Sequence, residues 1–220
     1  MCDLKNKRLF LLDMDGTIYI DNTLFDGTLD FLRHINKIGG RYMFLTNNSS
    51  KSVDKYIEKL KSLGIDSRKD DFFTSTDATV AYLKSKCYKK IYALGTESFR
   101  RQLSESGFNI TDKIEDDIDC LCMGFDTELT FKKLEDACIL LGKGVEYIAT
   151  NPDWVCPTWY GYVPDCGSIA QILKTATGRE PKFIGKPQPD MALLAMKRQD
   201  IQKMRQSLSV TDFIQTLPAV

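Results

Sequence analysis

The sequence predicts an α/β fold built on a parallel, doubly wound, Rossmann-like sheet, and two observations predict it. Short apolar runs without polar alternation recur along the chain, as strands covered on both faces require. Between them lie segments whose apolar residues repeat at three- and four-residue spacing, the period of an amphipathic helix. Strands and helices that alternate in this way form a parallel sheet joined by helical crossovers.

Each element has its own signal. The run Leu9 to Leu12 predicts a first strand, which stops at acidic residues and Gly16. Phe31, Leu32 and Ile35 then recur at helical spacing, and Ile38-Gly39-Gly40 ends that helix. The stretch RYMFLTNN, from Arg41, is a second strand of the same kind. A helix follows in SKSVDKYIEKLKSLGI, with Ser49 or Ser50 as cap and Gly64 as stop. Residues 76–86 predict another helix, and KIYALG another strand. CLCMGF and VEYIAT are further strands around a helix from about Thr130 to Leu141. SIAQILKTAT is a helix ended by Gly178, and PKFIGK reads as a strand returning to the core. No internal repeat or low-complexity segment interrupts the series.

Composition narrows the class. Thirty Lys and Arg balance thirty Asp and Glu, so nothing recommends a nucleic acid as partner. The start MCDLKNKRLF carries no signal-peptide apolar run, and no stretch reaches the ~18 apolar residues of a membrane span. The expectation is a cytoplasmic protein with neither membrane nor nucleic-acid partner. Seven cysteines without an export signal read as free thiols. Cys120 and Cys122 share a strand face without zinc-site spacing.

Three short stretches carry chemistry. Asp13 and Asp15 lie where the first strand ends, the edge at which open α/β sheets bind ligands. Two residues apart on an extended chain, they point the same way. Gly16 and Thr17 form a turn whose backbone can approach an anion, and a Mg²⁺ ion would stabilise the paired acids. At the end of the second strand, Thr46 offers a hydroxyl and Asn47 an amide to phosphate oxygens, with a helix N-terminus close behind. Lys186 follows a strand at a Gly-Lys-Pro turn and could offset negative charge. Taken singly, each has a plainer reading: a solvated strand end, a helix cap, a surface lysine.

Together, strand-DMDGT, strand-TNNSS and strand-GKP, in this order and with a large insert before the last, resemble the haloacid dehalogenase superfamily, and its NagD-type phosphatases in particular. ATNPDWVCPT and GYVPDCGSIAQILKTATGREPKFIGKPQP look like that group too, so the resemblance covers residues 7 to about 197. It implies a core from residues 1–79 and 179–197, with an inserted α/β cap at 80–178. It implies that Asp13 attacks phosphorus to form an aspartyl-phosphate, and that Asp15 protonates the leaving alcohol and then activates water. Thr46 and Lys186 complete the catalytic set; Gly16, Thr17, Asn47 and Asn48 surround the phosphate. The carboxylate of Asp13 and the main-chain carbonyl of Asp15 would be Mg²⁺ ligands. Asp15 argues against carbon–halogen hydrolysis, since the superfamily's dehalogenases lack that second acid. The implied substrate is a small-molecule phosphate ester, a sugar phosphate or similar, selected by the cap. Asp153 and Trp154 would stand near the entrance, or else form a capped turn with a packed aromatic. Caps of this sort often pair, which suggests a homodimer. His34 is expected on a solvent-facing helix surface.

One family element is missing from the sequence. An apolar strand ending in Gly-Asp, with a second Asp after four intervening residues, should follow KPQPDMALLAMK and complete the metal site; residues 198–220 contain none. Written back into codons that their residues permit, these positions encode TGYSKDETVVVGDRLYTDIASG when read from the third base of the Arg198 codon. That string holds the strand and both acids. We read 198–220 as an aberrant tail produced by a frameshift near Lys197, either a lesion in the gene or an error in the read sequence. A divergent natural C-terminus is the alternative. Such a chain would bind metal weakly and turn over little, or persist as an inactive remnant that at most binds phosphate.

Overall fold

In the computed structural model, which describes residues 7–198, the first strand β1 spans Leu9–Asp13. Its middle residues Phe10, Leu11 and Leu12 are buried, as a strand covered on both faces requires. It pairs in parallel with β4, Arg41–Thr46, in the register Leu9↔Arg41 to Asp13↔Leu45. A third strand, β5 (Phe72–Thr74), lies beyond β4, giving the order β1-β4-β5. Between β1 and β4 come a short antiparallel pair, β2 (Tyr19–Ile20) and β3 (Thr23–Leu24), and the helix α1 (Thr28–Lys37). Leu32 and Ile35 face the core from α1, while His34 is exposed, as its helical phase implied. The ring of Phe31 meets Phe10 edge-on at 5.9 Å, and Phe44 meets Phe72 at 5.4 Å.

The helix after β4, α2, runs from Val53 to Ser62. It starts later than either predicted cap, because Ser49 and Ser50 are engaged elsewhere and the Ser52 carbonyl accepts the first helical N–H, from Lys55.

The second sheet has five strands, all parallel, in the order β12-β9-β8-β6-β7. They are β6 (Lys90–Leu94), β7 (Asn109–Thr111), β8 (Cys120–Met123), β9 (Glu146–Ala149) and β12 (Lys182–Phe183). Helices α3 (Ser75–Ser85), α4 (Glu97–Glu105), α5 (Phe131–Gly142) and α6 (Cys166–Thr177) connect or flank them. Thr74 and Asp77 start α3 with a reciprocal cap: Asp77 N–H donates to the Thr74 hydroxyl (3.1 Å), and Thr74 N–H to the Asp77 carboxylate (2.9 Å). Gly178 ends α6 at φ 72°, a left-handed position that costs glycine little. The core of this sheet gathers Leu94, Leu121, Met123, Leu140, Ile169 and Leu173 with their neighbours.

Placement of β12 corrects the sequence expectation. Residues 182–183 do not return to the first sheet; they extend the second, pairing Lys182↔Ile148 and Phe183↔Ala149. A two-residue apolar run shows that a strand is there, but it holds no information about which edge accepts it. The antiparallel hairpin of β10 (Val155–Thr158) and β11 (Gly161–Pro164) was also not legible, since its turn residues Trp159 and Tyr160 lack the usual Asn-Gly signal. The last described helix, α7, spans Pro189–Arg198. Two compact units divide the chain. Among the described residues, one comprises 7–46, Ile57–Phe73 and 192–198; the other comprises Asn47–Tyr56 and Thr74–Met191. Beyond Arg198, the predicted aberrant tail lies outside the described residues. No described helix is long and apolar enough to cross a membrane.

Candidate active site

The acidic end of β1 is built by its turn. Met14 is fully buried, while Asp13 is half-buried and Asp15 exposed, the alternation of an extended chain leaving the sheet. The Met14 carbonyl accepts N–H groups from Thr17 (3.1 Å) and Ile18 (2.9 Å), and Gly16 N–H donates to the Tyr19 carbonyl (2.9 Å). Gly16 sits at φ 81°, where a side chain would be strained. The Met14 N–H donates to Asp13 Oδ1 (2.9 Å), which fixes the carboxylate's rotation. Because Asp13 stands opposite Leu45, the next residue of β4, Thr46, ends its strand at the same sheet edge. The Thr46 side chain is buried there. Two carboxylates and a hydroxyl thus share the C-terminal rim of one parallel sheet.

The four residues after Thr46 belong to the second unit, and their polar groups build a loop. Asn48 Oδ1 accepts both the N–H (3.0 Å) and the hydroxyl (2.7 Å) of Ser50, closing a side-chain-mediated turn. Ser49 Oγ accepts from Phe125 N–H (2.8 Å) and bonds the Thr150 hydroxyl (3.0 Å). The Ser50 carbonyl accepts from the Thr96 hydroxyl (3.2 Å). Lys186 N–H donates to Asn47 Oδ1 (2.9 Å), and Asn47 Nδ2 donates to the Lys186 carbonyl (3.0 Å) and to Asp153 Oδ2 (3.0 Å). Asn47, Asp153 and Lys186 are therefore brought together, although 139 residues separate the first and last.

Two further residues join this cluster. Asn151 Nδ2 donates to the Asn47 carbonyl (2.7 Å), and its Oδ1 accepts from Asp153 N–H (3.0 Å). Asp165 caps α6 and accepts from Cys166 N–H (2.5 Å). Burial pushes its carboxyl up to about 7, helped by the nearby charge of Asp153, while the Cys166 N–H and the Asn151 side chain pull the other way. Sequence reasoning passed over Asn151 and Asp165, because the β10–β11 hairpin that brings them together gave no signal of its own.

Known proteins are similar to this chain in sequence and fold. A family model described as haloacid dehalogenase-like hydrolase matches residues 10–109. The acid sugar phosphatase of Staphylococcus haemolyticus is 34% identical over 205 residues, covering 93% of this chain and 76% of the relative. The chain belongs to the haloacid dehalogenase-like hydrolases. Within that family it is a NagD-type phosphatase. The crystal structure of a 4-nitrophenylphosphatase from Thermotoga maritima superposes with a TM-score of 0.84 at 38% identity, over 90% of this chain and 75% of the other. NagD from E. coli K-12 gives a TM-score of 0.79 at 28% identity, over 88% and 75%. The glycerol phosphate phosphatase of Mycobacterium tuberculosis, solved in complex with magnesium, gives 0.81 at 28%, over 88% and 59%.

Proposed function

We propose that this phosphatase acts in the cytoplasm on small phosphorylated metabolites, a sugar phosphate or similar ester, through an aspartyl-phosphate formed on Asp13. The observation that carries the reading is the strand end itself. Asp13 is held by the Met14 N–H on one oxygen, Asp15 is exposed two residues on, and Thr46 ends the neighbouring strand at the same rim. In this reading Asp13 Oδ2 attacks phosphorus while Asp15 gives a proton to the leaving oxygen, then takes one from the water that hydrolyses the intermediate. The same reading gives Thr46, Lys186, Asn48 and the Gly16–Thr17 turn the task of holding the transferring oxygens. The names of the relatives, acid sugar phosphatase and glycerol phosphate phosphatase, support the substrate class.

The donor set bears on a metal. Asp13 supplies a carboxylate and Asp15 a main-chain carbonyl, both hard oxygen donors that suit Mg²⁺. When bound, the ion would offset negative charge on the phosphoryl group. Among the described residues no three His, Cys, Asp or Glu side chains gather as one metal site. Residues 198–220 add no Gly-Asp element. If residues 198–220 are a frameshifted tail, we propose that this polypeptide holds Mg²⁺ weakly and turns over slowly, the limit being a remnant that only binds phosphate. A homodimer formed through the inserted cap, residues 80–178, belongs to the same proposal.

The test compares 4-nitrophenyl phosphate hydrolysis by this polypeptide with that of a version continued in the alternative frame, each with and without Mg²⁺. The continued version should hydrolyse the ester in a Mg²⁺-dependent way, and Asp13→Asn should abolish it. Retained turnover in Asp13→Asn would refute the mechanism. Equal rates for the two chains would refute the impairment.

A further inference from the structure

We propose that Asn47 is a positioning residue, whose side-chain amide grips the main chain of Lys186 and so sets the turn from which the lysine ammonium projects. The lysine's role rests on the phosphatase reading; the grip itself does not.

The geometry resembles a bridge between two strands. One amide group accepts the Lys186 N–H and donates to the Lys186 carbonyl, at 2.9 and 3.0 Å. Both ends of one residue's backbone are thereby satisfied by a single planar side chain. The second Nδ2 hydrogen goes to Asp153 Oδ2. An asparagine amide has two N–H donors, so both are committed to protein acceptors, leaving none for a phosphate oxygen. The opposite amide orientation would face the Lys186 N–H with an NH₂ group and Asp153 with a carbonyl, so only one orientation satisfies all three bonds.

Asn47 is itself anchored from two other elements. Its carbonyl accepts the Ser75 hydroxyl (2.7 Å) at the start of α3, and Asn151 Nδ2 (2.7 Å) after β9. The residue is buried. The turn it grips is held on its other side by the Ile184 N–H to the Ala149 carbonyl (3.1 Å) and the Gly185 N–H to the Thr150 carbonyl (2.7 Å). A Cβ at Gly185 would lie 2.5 Å from both Asn47 Oδ1 and the Thr150 carbonyl oxygen, so glycine is what lets the amide approach. A lysine side chain has four rotatable bonds, and its reach is useful only if its Cα is fixed. In this chain that task falls on Asn47.

Two measurements on the full chain test the inference. The first is hydrogen exchange of the Lys186 amide by NMR. Loss of one hydrogen bond of ~1 kcal/mol should speed its exchange about fivefold to tenfold in Asn47→Ala. The strand amides of β8 should keep their protection, which separates a loosened turn from an unfolded chain. Asn47→Asp keeps the acceptor but sets a carboxylate against Asp153, so its Lys186 amide should regain protection as the pH falls and the new acid protonates. Asn47→Ala should show no such pH dependence. An unchanged Lys186 exchange rate in Asn47→Ala overturns the proposal.

The second measurement is the affinity for inorganic phosphate in a double-mutant cycle. Asn47→Ala should weaken binding about tenfold beside Lys186 but less than about twofold in a Lys186→Ala background, because the residue works through the lysine. Equal losses in both backgrounds would make Asn47 a direct phosphate ligand and overturn the proposal. A wild-type chain that binds no phosphate would instead sink the phosphatase reading for this polypeptide, with the exchange measurement still deciding the grip.

Discussion

Replacing Asp165 with Asn should flatten the dependence of stability on pH between about 4 and 7. Asp165 is 4% exposed at the start of α6. Its carboxyl is raised from 3.8 to about 7, first by burial and then by Asp153. The folded chain therefore keeps a proton that the unfolded chain releases above pH ~4. The stability this contributes is complete below that pH and is lost as the pH climbs through about 7. A shift of about 3 pH units at 1.36 kcal/mol each amounts to about 4 kcal/mol across the window. Asn can still accept the Cys166 N–H as a cap, and it does not titrate. Urea unfolding of the two chains at pH 5, 6, 7 and 8 is the assay. The D165N chain should gain on the wild type with rising pH, by ~1.4 kcal/mol per unit at the steepest and by about 3 kcal/mol over the series. Parallel stability curves would refute the reasoning, because they would mean that Asp165 is ionised in the folded chain throughout.

Lys133 Nζ lies 2.7 Å from the fully buried Asp126 carboxylate and also donates to the carbonyls of Gly95 and Glu128. Lys133→Met should cost about 3–5 kcal/mol in urea unfolding by stranding that acid, whereas Lys143→Met, at the exposed pair with Asp116, should cost under ~1 kcal/mol. Gly185→Ala should destabilise by about 1–3 kcal/mol in thermal unfolding, since its Cβ would lie 2.5 Å from the Thr150 carbonyl oxygen and from Asn47 Oδ1. It should also deprotect the Lys186 amide, and normal protection would count against the packing described above. Cys120, Cys122 and Cys166 are buried, and burial raises all three thiols, Cys120 and Cys166 to about 12. Iodoacetamide at pH 8 should leave them unmodified until denaturant is added, as read by peptide mass spectrometry; labelling in the native chain would contradict the burial.

Asp13 and Asp15 could be recognised as a pair because strand geometry is local: alternation along an extended chain places both on one side whatever surrounds them. The same holds for the helices, whose apolar period was visible in Leu32 and Ile35 and in Ile169 and Leu173. Asn47 was legible as a polar residue at a strand end, and its partners were not. Whether its amide meets a phosphate or a peptide group depends on what the chain delivers 139 positions later.

By itself, the sequence determined the main buried strands and amphipathic helices, where the acids fall, and the family. These follow from periodicity, turn chemistry and short motifs, all of which act over a few residues. Only the tertiary structure decided that residues 182–183 join the second sheet, that Asp165 is buried beside Asp153 and Asn151, and that Asn47 holds Lys186. Each of these depends on pairing between distant segments. A backbone edge or a buried carboxyl accepts whatever partner the fold brings to it, and no local pattern encodes that choice.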